Sequence, residues 1–233
     1  MKVTIKEKKE IAKDSLFVTF DLLGKKVNFK PGQYFFITIP KLKYDDQRGN
    51  IRHFSIVNSP NQNGIISMTT RIREESGFKK TLKELPLGST VEIGSIAGDF
   101  TLPKEPRSLV FMAGGIGITP FISMLNFIAE EKLPFNITLI YSNKDKASTA
   151  FFEELKEIEK RNKDVKVIFT MTQDPSFKGE KGRIDSQFVK INIKNYQSKT
   201  FYVSGPPAFT KEIIKILKDL EIKNIKSEEF WGY

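Results

Sequence analysis

Up to about Pro103 the chain runs in short apolar or alternating stretches punctuated by glycine and proline; from Leu109 onward apolar runs alternate with helix-period segments. In the first part the alternation predicts strands over residues 3–8, 16–22, 33–39, 53–57, 65–73 and 90–93, with turns at Gly24-Lys25, Pro31-Gly32, residues 61–64 and Leu87-Gly88. That spacing predicts a small antiparallel β-barrel. One helix interrupts it over residues 77–85, where Phe78, Leu82 and Leu85 recur at helical spacing behind Ser76-Gly77. In the second part strands are predicted over 109–113, 137–141, 165–170, 201–204 and near 225–230. Helices are predicted from Pro120, over about 150–161, near 186–189 and over 207–220, with a loop after 170. Such alternation predicts an α/β domain with a parallel sheet covered on both faces. Two prolines bracket a charged pair within residues 101–106, which divides the chain into domains 1–103 and 104–233.

Between Ser108 and Ala129 there is no charged residue. The order there is strand, glycine turn, helix: an apolar run to Ala113, then Gly114, Gly115 and Gly117, then Thr119 as a candidate cap and Pro120 in a first helical turn. This aims a helix N-terminus and free N–H groups at an anion above the turn, as in dinucleotide sites. The spacing departs from the usual dinucleotide fingerprint, because Pro120 stands where a third glycine is wanted. A tight turn that binds nothing is the competing reading. The uncharged run is long enough for a membrane span, but three glycines and a proline at its middle argue against one.

Composition narrows the chemistry. With 39% hydrophobic residues and 20 Phe among 233, the chain can fill a core. It has no Cys, which excludes disulfides, thiolate-bound clusters and cysteine nucleophiles within it, and His53 is its only histidine, so no metal site is assigned. Redox chemistry would have to come from an organic cofactor or a partner. The net charge of +10 rests on 31 Lys spread along the whole chain against 7 Arg, which reads as a solvated surface rather than a nucleic-acid stripe. Arg52, Arg71, Arg73 and Arg183 fall in turn-rich stretches where a planar fork can grip phosphate. The first ten residues carry no apolar signal core, so a cytoplasmic protein without membrane insertion is expected.

Arg52-His53-Phe54-Ser55 opens a predicted strand, with Arg52 and Phe54 on one face and His53 and Ser55 on the other. A planar redox cofactor needs such a set: a cation for phosphates, a ring to stack on, a hydroxyl for ring nitrogens. An ordinary half-buried strand with a terminal Arg fits equally well.

In order along the chain, R-H-F-S, S-G-F-K-K-T, A-G-G-I-G-I-T-P, Y-S-N-K, V-S-G-P-P and E-E-F-W-G-Y resemble the ferredoxin–NADP reductase family of flavin oxidoreductases. The resemblance runs from Pro31 to Tyr233 and implies a flavin-binding barrel, a nicotinamide-nucleotide domain and a flavin in the cleft between them. It implies that Arg52 grips the flavin pyrophosphate, with His53 and Phe54 beside it, and that Ser55 hydrogen-bonds near flavin N5. Phe54 replaces the family's usual Tyr. Arg71, Ile72 and Arg73 would border the flavin, and Gly77, Phe78 and Lys79 would offer backbone N–H groups to its phosphate. Lys79 replaces a small hydroxyl residue, and FAD is expected in preference to FMN.

For the nucleotide the resemblance implies Gly114, Gly115, Gly117, Thr119 and Pro120 at the pyrophosphate and ribose, and Ser142, Asn143 and Lys144 at the adenosine ribose. Lys144 fits a 2′-phosphate contact, which would favour NADPH over NADH, or a solvated loop position. Ser204, with Gly205 and Pro206 after it, would face the nicotinamide in place of the family's common Cys. At the tail, Phe230 would cover the flavin and Glu228 would act as a charge or proton partner; Tyr233 is the alternative cover, and simple pinning of the last strand is a third reading. The implied activity is hydride transfer from NAD(P)H to bound FAD and onward electron transfer to a separate acidic carrier such as a ferredoxin, a flavodoxin or an oxygenase component. A flavin- or nucleotide-binding regulatory subunit with little activity alone is the alternative.

Overall fold

The computed structural model describes residues 1–105 and 107–230. The chain divides into two units: Met1–Leu102 with Thr119–Phe127, and Pro103–Ile118 with the residues from Ile128 on.

The first unit is a six-stranded antiparallel sheet in the order β4-β3-β6-β1-β2-β5. Its strands are β1 (Lys2–Ala12), β2 (Ser15–Asp21), β3 (Tyr34–Thr38), β4 (Ile51–Ser55), β5 (Ile65–Arg71) and β6 (Thr90–Ala97). Val57 N–H donates to Ser67 O at 2.9 Å, joining the continuation of β4 to β5 and closing the sheet on itself. Alternation drives the assembly: Val3 and Ile5, Val18 and Phe20, Phe35 and Ile37, Val91 and Ile93 all point into one core and are at most 1% exposed. Helix α1 (Gly77–Glu84) adds Phe78 and Leu82, one turn apart and fully buried, to that core. Ser76 caps it, its Oγ accepting from Lys79 N–H at 3.3 Å. At the other end Lys8 from β1 donates to the carbonyls of Lys83 (2.6 Å) and Leu85.

The second unit holds a parallel sheet in the order β10-β9-β8-β7-β11-β12. It comprises β7 (Ser108–Gly114), β8 (Asn136–Asn143), β9 (Val165–Met171), β10 (Glu180–Lys181), β11 (Thr200–Gly205) and β12 (Ile225–Glu229). The inner strands are continuous apolar runs, as burial on both faces requires: Leu109 to Ala113 and Phe201 to Val203 are at most 1% exposed. Helices α3 (Phe152–Arg161), α4 (Ser186–Asn192) and α5 (Pro207–Asp219) lie in the sheet's later crossovers, while α2 (Thr119–Glu130), between β7 and β8 in the chain, has its residues 119–127 in the first unit. Strand numbering ascends outward from β7 through β8, β9 and β10 on one side and through β11 and β12 on the other. The order therefore reverses between β7 and β11, and the crevice beyond the C-terminal ends of those two strands is where such sheets bind ligands.

Two local features differ from the sequence expectation. Gly115–Ile118 forms a 3₁₀ turn that runs straight into α2, so Thr119 is the first helical residue rather than a cap. Glu180–Lys181 forms a two-residue strand where a loop is expected; its exposed polar sequence carries no apolar signal, and only backbone pairing with Thr170 and Met171 defines it. Among the described residues no helix is long and apolar enough to cross a membrane.

Candidate flavin and nucleotide sites

In the first unit β4 delivers Arg52 to the N-terminus of α1. The guanidinium is buried at 5% exposure and lies over the Phe78 ring, 5.3 Å from its centroid, and the Phe54 ring is 6.2 Å from the same ring. Arg52 and Phe54 thus share a face, as alternation predicts, and Phe54 belongs to the barrel core. One guanidinium nitrogen donates to the carbonyls of Arg48 (2.9 Å), Gly49 (3.1 Å) and Ile51 (2.6 Å), and the other pairs with Asp46. Its Nε is buried with no hydrogen-bond partner among the described residues.

Asp46 is the residue that sequence reasoning missed. Its side chain is 6% exposed; Oδ2 accepts from Phe78 N–H at 2.9 Å and from the Ser76 hydroxyl at 3.2 Å. Burial pushes this carboxyl up, but the N–H groups of Phe78 and Arg48, the Arg52 charge and the Ser76 hydroxyl outweigh it and hold the pKa below the usual carboxylate value. The signal available in the sequence was an acidic pair, Asp45-Asp46, ahead of a motif Arg. Lys79, expected to act through its backbone, instead buries its side chain to 5% exposure. Burial, then the nearby charges of Arg73 and Arg52, pull its pKa from 10.5 to about 8. Its ammonium has no carboxylate within 4 Å among the described residues.

The remaining barrel candidates spread around this point. Ser55 is buried at the end of β4 in register with Tyr34. His53 is on the opposite face, half-buried among Tyr34 (5.1 Å) and Phe36 (5.8 Å), and burial lowers its pKa. Arg71 closes β5, Ile72 packs against the core, and Arg73 is exposed with Glu75 3.8 Å away.

In the second unit the other candidates gather at the C-terminal ends of the strands flanking the reversal. Gly115 follows β7 with φ +53°, and Gly117 lies against the Ser204 carbonyl at the end of β11. Ser204 is paired with Ala113 on one side and with Glu228 on the other. Its Oγ is buried and has no hydrogen-bond partner among the described residues, and the same holds for Asn143 Nδ2 at the end of β8. Ser142 is half-buried and Lys144 exposed. Gly205 is buried, and Pro206 is the exposed residue before α5. Phe230 N–H donates to Gly205 O at 2.8 Å, which tethers Phe230 beside Ser204, while Glu229 accepts from the Thr210 hydroxyl at 3.1 Å. The alternative cover, Tyr233, lies outside the described residues. Thr119 and Pro120, which belong to the first unit, are buried at the start of α2.

Both donor sets fit the groups they would hold. A buried guanidinium with a spare N–H, a buried ammonium without an ion-pair partner and a helix N-terminus suit a phosphate group. A side-chain-free turn and two orphaned polar atoms at a topological switch point suit a dinucleotide. Comparison with known proteins agrees: residues 2–102 match the oxidoreductase FAD-binding domain and residues 111–215 the oxidoreductase NAD-binding domain. The chain is thus built from the FAD-binding and NAD-binding domains of oxidoreductases. The flavohemoprotein of Oceanobacillus iheyensis is 30% identical over 228 residues, covering 94% of this chain and 54% of that protein. The anthranilate 1,2-dioxygenase electron transfer component of Acinetobacter baylyi is 29% identical over 210 residues, covering 88% and 59%. The ferredoxin NADP⁺ reductase of Neisseria gonorrhoeae, solved with FAD and NADP, has the same fold at TM-score 0.83 and 18% identity, covering 100% of this chain and 98% of that one. The chain spans about half the length of the flavohemoproteins it matches, 52–54% of each of the first four.

Proposed function

We propose that the chain is an FAD-dependent NAD(P)H oxidoreductase, with residues 1–103 holding the flavin and 104–233 the nicotinamide nucleotide. When bound, FAD supplies the acceptor for the nucleotide's hydride and the donor for electrons that leave one or two at a time. The observation that carries the reading is the buried cationic cradle of Arg52 and Lys79 at the N-terminus of α1. The Lys79 ammonium, buried with no carboxylate within 4 Å among the described residues, is costly, and a doubly charged pyrophosphate removes the cost.

Around it the chain's own residues bind and orient. Arg52, Lys79 and the Gly77 and Phe78 backbone hold the pyrophosphate; Arg71, Ile72 and Arg73 border the cofactor; Ser55 offers its hydroxyl to flavin N5. Phe54 and Phe78 form an apolar floor beneath the cradle, and His53 stands in the aromatic cluster on the other face of β4. Gly115 leaves the nucleotide pyrophosphate a surface free of side chains, Gly114 and Gly117 hold the turn close to Phe209 and Ser204, and Thr119 and Pro120 open α2 after it, with Ser142, Asn143 and Lys144 toward the adenosine ribose. Ser204 presents its spare hydroxyl to the nicotinamide, Gly205 and Pro206 shape the wall, and Phe230 and Glu228 stand beside them. Holding donor carbon and acceptor nitrogen together and away from water is the main catalytic contribution of such a site.

The Acinetobacter relative is named as an electron transfer component of a dioxygenase. We take the acceptor here to be a separate acidic carrier protein, which the net charge of +10 would steer. The test is to extract and identify the flavin of the purified protein, follow its bleaching by NADH and NADPH without oxygen, and assay turnover with an artificial acceptor. Bleaching and turnover support the reading; a folded protein that stays colourless after incubation with FAD overturns it. Bleaching without turnover would favour a binding or regulatory subunit.

A further inference from the structure

The segment between β3 and β4 is strapped along α1. Lys43 N–H donates to Thr81 Oγ1 at 3.0 Å, and the Tyr44 hydroxyl donates to Glu84 at 2.7 Å. The carbonyls of Tyr44 and Asp45 lie so close to Gly77 that a Cβ there would stand 2.7 and 2.2 Å from them. At the open end of the helix this strap delivers Asp46. One carboxylate oxygen takes the Arg52 guanidinium and Arg48 N–H (3.0 Å); the other takes Phe78 N–H (2.9 Å) and the Ser76 hydroxyl (3.2 Å). A guanidinium, a helix N-terminal N–H and a hydroxyl converging on one buried anion are the donors of a phosphate site. The carboxylate brings one negative charge against two buried cations, and two features register the shortfall: among the described residues Arg52 Nε has no hydrogen-bond partner and Lys79 no carboxylate within 4 Å.

We propose that Asp46 is an internal stand-in for the flavin's pyrophosphate: it fills the anion site in the flavin-free chain, and loading FAD displaces it together with the strap. This rests on the reading that FAD binds at Arg52. Asp46 then sets cofactor affinity by competing for that site, and Lys79 takes the additional phosphate charge that Asp46 cannot supply.

The test uses the flavin-free full chain and Asp46→Asn, which keeps the side-chain shape and removes the charge. FAD titrated by fluorescence quenching should bind Asp46→Asn about tenfold more tightly than wild type, since the displaced partner is no longer a charge-assisted one. Inorganic pyrophosphate should raise the melting temperature of the variant more than that of wild type. A folded variant that binds FAD no better than wild type and gains nothing extra from pyrophosphate overturns the proposal. Hydrogen exchange of the wild-type chain decides independently of any variant: residues 41–50 should exchange faster once FAD is bound, and unchanged or slower exchange there overturns it. If neither chain takes up FAD while pyrophosphate still favours the variant, the anion exchange is supported and the flavin reading falls.

Discussion

Gly117 lies against the carbonyl of Ser204, so that a Cβ on Gly117 would stand 2.4 Å from that oxygen and 2.6 Å from the Gly205 Cα. These are backbone atoms of an inner strand, which cannot move aside as a flexible side chain would. Gly117→Ala should therefore destabilise the sheet unit by about 1–3 kcal/mol, the usual range of overpacking in a rigid core. It should also push the glycine turn out of line and weaken NAD(P)H binding. Flavin uptake by the barrel should survive, so the measurement is a pair: nucleotide affinity by calorimetry and flavin content by absorbance. Normal nucleotide affinity in Gly117→Ala would show that this contact does not set the turn.

Ser204 carries a buried hydroxyl with no hydrogen-bond partner among the described residues. For folding this is a liability. Ser204→Ala should leave stability unchanged or raise it by up to about 1 kcal/mol, because a desolvated hydroxyl without a partner is removed. If the hydroxyl serves the nicotinamide, the same change should slow the anaerobic hydride step without altering flavin binding. Stopped-flow reduction beside a denaturation curve separates the two effects, and a variant that is both less stable and equally fast would remove Ser204 from the site.

The strand, turn and helix around Gly115 were legible in the sequence because a buried parallel strand must be continuously apolar and the turn after it must be bare. Barrel strands were legible from alternation for the same reason of one-sided burial. The anion site at Arg52 was legible only in part. Arg52 and the start of α1 announce themselves, since Ser76-Gly77 is a helix start and Arg52 opens a strand. Asp46 does not, because a loop residue has no periodicity and its role comes from a strap that folds back over a helix 30 positions later in the chain. Lys79 was legible only as a backbone N–H donor at the helix start, since burial of a charge leaves no mark on the pattern of residues.

Lys8 reaches from β1 to the C-terminal end of α1 and donates to Lys83 O at 2.6 Å and to the carbonyls of Leu82 and Leu85. The carbonyls there have no partner within the helix, and a cation opposes the negative end of its dipole. Lys8→Met keeps most of the apolar stem and deletes the donors. It should lower barrel stability by about 1–2 kcal/mol, read from the denaturant midpoint. An unchanged midpoint would mean that water replaces the ammonium without cost.

Lys79 makes the flavin-free chain sensitive to pH in a defined direction. Burial first, then Arg73 and Arg52, lower its pKa from 10.5 to about 8. Between those two values the unfolded chain keeps a proton that the folded chain has released, so stability rises with pH across that window. Below pH 8 the cost of the buried ammonium is present in full. Lys79→Met should therefore stabilise the flavin-free protein at pH 7 by about 2 kcal/mol and flatten the rise above pH 8. Flavin phosphate beside the ammonium would reverse the shift, so FAD binding at pH 9 should take up about one proton in wild type and none in Lys79→Met. Calorimetric titration in two buffers of different ionisation enthalpy measures that uptake. A wild-type protein that binds FAD with no proton uptake at pH 9 would show that Lys79 does not meet the phosphate.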